Sequence, residues 1–213
     1  RITDLNGPGP VISAAAQQDL LDRLEQIAHG HDAVVVAGSL PRGVSAQWLH
    51  ALVLRLKAKG LRVALDTSGE ALKACLDAGP WLIKPNTEEL AEVLGCAVVS
   101  PQAQAEAANR LHAQGIEHVV ISNGAEGVNW FSVGSALHAT PPRVSVASTV
   151  GAGDSLLAGM LHGLLSADTP EQTLRTATAI AALAVTQIGF GINDAAHLAQ
   201  LEQGVRVRPL TEQ

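Results

Sequence analysis

The stretch STVGAGDSLLAGML, residues 148–161, decides how this chain is read. A strand runs into the turn Gly151-Ala152-Gly153, and Asp154 then opens an apolar helix. Small residues at such a junction let backbone N–H groups approach a ligand closely. Those groups lie at the positive end of the helix dipole, so the turn suits an anion. An Asp in that place also serves as an ordinary N-cap after a glycine turn, and on spacing alone the two readings stand level. The string is not a Walker loop, and Leu156 stands where GxGxxG has its third glycine.

Working outward, short β-branched runs alternate with helical spacing. Ser13 caps a helix in which Leu20, Leu21, Leu24 and Ile27 recur, ending at Gly30. AVVVAG (33–38) reads as a strand buried on both faces. Next come a helix over about 45–60, the strand RVALD (62–66), a short helix (70–78), WLIKP (81–85) and a helix over 87–94. Ser100-Pro101 opens a helix that ends near Gly115, and HVVIS (118–122) is a further buried strand. This alternation predicts a mostly parallel sheet covered on both faces. VNWFSV, ALHAT and RVSVAS (128–148) are short and separated by Gly, Ser and Pro, so they read as antiparallel hairpins. Helices over 154–166, 170–188 and 194–203 follow, the second opened by a Thr169…Gln172 capping box. VRVRPL (205–210) alternates as an edge strand does. With no repeat, low-complexity tract or linker, residues 1–213 read as one domain.

Composition excludes whole classes of function. A net charge of −6 and five aromatic residues, none of them Tyr, argue against a nucleic-acid surface of basic patches and stacking rings. No apolar run reaches the roughly 18–20 residues of a membrane span. Cys75 and Cys96 form neither CxxC nor a disulfide framework, which fits a reducing cytoplasm. His29 and His31, two apart, do not share a helical face, and no GxSxG elbow is present.

The other candidate motifs all sit where strands end, which is where open α/β sheets bind ligands. SNGAEG (122–127) is either a loop holding a nucleotide or an ordinary glycine turn. In KPNTEEL (84–90), Asn86 and Glu89 are spaced to present an amide and a carboxylate to hydrated magnesium, and are equally spaced for a capping box. Lys84 either reaches a phosphate or leaves the sheet for water. GSLPRG (38–43) brings Ser39, and DTSGEAL (66–72) brings Asp66 and Ser68, to strand ends as routine turns also do.

Taken together, STVGAGDSLLAGML and the order GSLP, DTSGEAL, KPNxxE, SNGAEG, STVGAGD resemble the carboxyl-terminal two-thirds of a ribokinase-like (PfkB) carbohydrate kinase. TDLNGPGPVIS (3–13), DTSGEAL and STVGAGDS look most like the 1-phosphofructokinase and tagatose-6-phosphate kinase branch, except that Arg42 replaces a second proline of GSLPRG. The resemblance implies a three-layer α/β/α fold with a mostly parallel sheet, a C-terminal antiparallel hairpin region and no β-lid. It implies ATP-dependent phosphorylation of a phosphosugar in the cytoplasm, with fructose 1-phosphate the leading acceptor and a homodimer as the assembly, and without nucleic-acid or membrane partners. Tagatose 6-phosphate, another sugar or nucleoside, and a nucleotide-binding module without catalysis are the alternatives.

By the same resemblance, Asp154 is the general base that contacts the sugar hydroxyl, and Gly151, Ala152 and Gly153 form the anion hole. ATP falls to Ser122, Asn123, Gly124, Ala125, Glu126, Gly127, Gly153 and Lys84, Mg2+ to Asn86, Glu89 and Asp66, and the phosphosugar to Ser39. The sequence opens at Arg1, so the family's amino-terminal third, with the lid and most of the sugar grip, is expected to be missing from it.

Overall fold

Ser13, Ser45, Ser100 and Thr169 each accept a hydrogen bond from the backbone N–H three residues on, at 3.1–3.2 Å. These caps, worth about 1 kcal/mol each, set where four helices start in the computed structural model, which describes residues 9–210. Arg1 and the part of the 3–13 segment up to Pro8 lie outside the described residues. The chain divides into two compact units, Arg1–Val119 and Val120–Gln213.

The first unit carries α1 (Ala14–Ile27), β1 (Ala33–Ala37), α2 (Ala46–Ala58), β2 (Arg62–Asp66), α3 (Gly69–Cys75), β3 (Leu82–Ile83), α4 (Thr87–Leu94), α5 (Pro101–Ala113) and the start of β4 (His118–Ser122). β1, β2, β3 and β4 pair in that order, all parallel. Val63, Ala64, Leu65, Leu82, Ile83 and Val119 are all fully buried, so the middle strands are the core that their continuous apolar runs predict. β1 departs from expectation. It is the first strand of the order, paired only with β2 among the described residues, and Val35 is 47% exposed, not buried on both faces. Of the α1 stripe only Leu21 is buried, with Leu20 and Ile27 exposed.

The second unit holds the rest of β4, a 3-10 turn (Gly124–Glu126), β5 (Val128–Ser132), β6 (Ser135–Thr140), α6 (Ala152–Leu165), α7 (Pro170–Val185), α8 (Ala195–Gly204) and β7 (Arg206–Pro209). β5 and β6 form the expected hairpin, and β7 is the antiparallel edge strand beside β6. Strand order follows chain order from β1 to β7. RVSVAS (143–148) is not a strand. Pro141 and Pro142 precede it, and the N–H groups of Ala147 and Ser148 donate to the Val185 carbonyl at the end of α7 in place of a ladder partner. α7 ends at Val185, short of 188, and its start is only half a capping box, because the Gln172 amide turns to the Thr176 hydroxyl. α6 lies close against α7. A methyl on Gly159 would fall 2.5 Å from Ala177 Cα, so glycine permits the approach.

Candidate active site

α6 begins at Ala152, two residues before the expected start, with Gly151 as N-cap in the left-handed region (φ 80°). Asp154 is therefore the third residue of the helix and does not cap it. Its carboxylate is exposed and has no hydrogen bond or ion pair among the described residues. The Ala152 N–H makes a long 3.4 Å bond to the Thr149 carbonyl, while those of Gly153 and Asp154 meet no acceptor among the described residues. An unpartnered carboxylate thus stands beside unpaired helix-start donors, an arrangement suited to an anion and to a proton acceptor next to it. Phe190 flanks this turn, with a methyl at Gly151 falling 3.4 Å from its ring. The ring is 79% exposed. Sequence reasoning passed over it, although the Gly189-Phe190-Gly191 string was a visible signal.

Ser122–Gly127 closes on itself: Asn123 N donates to Gly127 O at 2.8 Å, Glu126 N to Asn123 O at 3.1 Å, and Gly127 N to Gly124 O at 3.2 Å. Gly124, Ala125 and Glu126 are exposed at the end of β4, and Gly127 is buried at φ 110°. The segment is a fixed loop that presents backbone at a strand's carboxyl end.

In the first unit, Asp66 ends β2 and Lys84 follows β3, and the two form an ion pair at 3.2 Å with both side chains largely buried. Asn86 and Glu89 form a complete capping box: Asn86 Oδ1 accepts from Glu89 N at 2.8 Å, and Glu89 Oε2 accepts from Asn86 N at 2.9 Å. That box leaves Glu89 Oε1 available. A hard cation that keeps most of its water and binds mainly through phosphate oxygens fits this donor set, whereas an all-protein cage does not. No cluster of three metal-ligating side chains exists among the described residues. Ser39 is exposed after β1 and borders an apolar cleft of about 410 Å³ in the first unit. Arg42 holds the neighbouring segment, donating to Gly9 O at 3.0 Å and accepting from Ile12 N at 2.8 Å. Among the described residues no helix is long and apolar enough to cross a membrane.

Known structures share this architecture. Phosphofructokinase-2 from Escherichia coli in complex with fructose-6-phosphate superposes with a TM-score of 0.82 at 26% identity, over 93% of this chain and 64% of that one. The fold is the three-layer α/β fold of ribokinase-type kinases. The model of the pfkB family carbohydrate kinases matches residues 3–196, and the chain belongs to that family. It is 43% identical over 209 residues to a 1-phosphofructokinase of Vibrio cholerae serotype O1 and 44% identical over 209 residues to one of Escherichia coli strain K12. In both cases 98% of this chain is aligned, and it spans about two thirds of the relative's length, 66% and 67% respectively.

Proposed function

We propose that the natural protein transfers the γ-phosphoryl group of ATP to a hydroxyl of a phosphosugar, with fructose 1-phosphate as acceptor and fructose 1,6-bisphosphate as product. The observation that carries this reading is Asp154, exposed on the first turn of α6 and without a partner among the described residues, beside the Gly153 and Asp154 N–H groups that meet no acceptor there. Its carboxylate takes the proton of the sugar hydroxyl as that oxygen bonds to the γ-phosphorus and the bond to the ADP oxygen breaks. Gly151, Ala152 and Gly153 meet the charge on the transferring group, with the helix dipole adding to their N–H groups. Ser122–Gly127 and Gly153 hold the nucleotide, Lys84 its phosphates, and Ser39 the phosphosugar. Mg2+ would be held through water by Glu89, Asn86 and Asp66, and when bound it neutralises phosphate charge. The choice of acceptor is supported by the relatives named 1-phosphofructokinase.

Asp154→Ala tests the assignment. It is expected to lower kcat by about 10²–10⁴-fold while leaving the calorimetric affinity for Mg-ATP unchanged, and a near-normal kcat overturns it. Comparing kcat/KM for fructose 1-phosphate and tagatose 6-phosphate tests the acceptor. Mg-ATP binding with transfer to neither points to a non-catalytic module. A homodimer belongs to the same reading, and sedimentation at the monomer mass overturns it.

A further inference from the structure

Behind the Ser122–Gly127 loop lies a polar pair that nothing in the catalytic reading uses. Asn129 on β5 and His138 on β6 face each other across the antiparallel ladder. His138 Nδ1 lies 2.6 Å from Asn129 Oδ1, and His138 Nε2 lies 3.0 Å from the Thr140 hydroxyl. A neutral imidazole with its proton on Nδ1 donates to Asn129 and accepts from Thr140, so both nitrogens are engaged and the ring is fixed from two sides. Asn129 is itself buried, at 3% exposure. The ring edge fixed in this way faces Gly127 of the loop. A methyl at Gly127 would lie 3.2 Å from His138 Cε1 and would overlap the Ala139 carbonyl oxygen. Gly127 donates to Gly124 and accepts from Asn123, so its position sets the closure of the whole turn.

We propose that His138, anchored on Asn129, is a positioning residue for ATP: it acts through Gly127 to hold the Ser122–Gly127 loop in the shape that receives the nucleotide. The inference rests on the reading of that loop as nucleotide-holding. A side chain that only stabilised the hairpin would change folding stability and leave the response to ATP alone. A positioning residue changes ATP binding selectively.

The test is steady-state kinetics of the natural protein and its variants, with Mg-ATP affinity measured by calorimetry. His138→Leu is expected to raise KM for Mg-ATP about tenfold, with kcat and KM for fructose 1-phosphate within about twofold. His138→Asn keeps a donor near the Nδ1 position and is expected to bring KM for Mg-ATP back to within about threefold of the natural value. An unchanged KM for Mg-ATP in His138→Leu, a parallel loss in every parameter, or no rescue by Asn overturns the proposal. Should His138→Leu fail to fold, Thr140→Val removes only the Nε2 partner and is expected to raise KM for Mg-ATP about threefold; no change overturns the proposal. Gly127→Ala separates the two readings. If it weakens Mg-ATP binding while the His138 variants do not, only the role of His138 falls. If it leaves Mg-ATP binding intact, the nucleotide assignment of the loop falls as well.

Discussion

Lys84 Nζ lies 3.2 Å from Asp66 Oδ1, with the two side chains only 8% and 16% exposed. The pair joins the carboxyl ends of β2 and β3, which are neighbours in the parallel sheet. This far from water, each charge has the other as its counter-charge. Lys84→Met is therefore expected to destabilise the protein by about 3 kcal/mol in urea denaturation, since the carboxylate stays buried without its cation. The double variant with Asp66→Asn should recover part of that loss. A cost under about 1 kcal/mol for Lys84→Met would mean that the pair behaves as a solvated surface bridge.

Gly159 faces Ala177 where α6 meets α7, and an added methyl would come within 2.5 Å of Ala177 Cα and 2.9 Å of its Cβ. Alanine in a helix interior gains about 1 kcal/mol over glycine. Overpacking against a backbone atom costs about 1–3 kcal/mol, because the helix as a whole must shift. The approach to a backbone atom puts the cost at the upper end of that range, so Gly159→Ala should lower stability by up to about 2 kcal/mol net. A rise in the denaturation midpoint would show that α7 yields freely.

His118 starts β4 in a buried setting, edge-on to Trp81 with ring centroids 5.1 Å apart. Burial lowers its pKa below the ordinary 6.5, with His112 and Arg62 adding to the effect and Glu117 opposing it. The unfolded chain then takes up a proton more readily than the folded one. The contribution to stability is complete above about pH 6.5 and is lost as the pH falls from there through the lowered folded value. His138, lowered chiefly by burial with Arg208 adding and Glu126 opposing, acts in the same direction. Urea midpoints measured from pH 7.5 to pH 5 should fall, and His118→Phe should flatten part of that slope. An identical slope in the variant would assign the pH dependence to other groups.

Cys75 is fully buried, and its thiol is pushed up to about 11, chiefly by burial and further by the negative charge of Asp77. Cys96 is exposed. Because the thiolate is the reactive form, a disulfide reagent at pH 8 should titrate one thiol rapidly in the native protein and two in denaturant. Two rapid thiols in the native state would contradict the burial of Cys75.

The boundary between what could be read in the chain and what could not follows interaction range. Ser13 and Ser100 were legible as caps because each satisfies a donor three residues away, and the Asn86–Glu89 box was visible for the same reason. RVSVAS reads as a strand from its alternation, while the N–H groups of Ala147 and Ser148 go to the carbonyl of Val185, nearly forty residues on. AVVVA was read as buried on both faces because an apolar run does not reveal how much of a strand its neighbours cover, and Val35 is 47% exposed among the described residues.

At the candidate site the division is similar. The order of motifs pointed to the family, since GSLP, DTSGEAL, KPNTEEL, SNGAEG and STVGAGD are short contiguous strings that can be recognised without the fold. The family match bears out that identification, and the helical and strand alternation foretold the parallel sheet. Tertiary structure decided that Asp66 meets Lys84 and that His138 anchors on Asn129 across the β5–β6 ladder. Caps, turns and periodicity are set by neighbours within one helical turn or strand step. The partner of Lys84 is set by the pairing of β2 with β3 across the intervening α3, and that of His138 by the register of the β5–β6 ladder, and neither pairing is encoded within one helical turn or strand step.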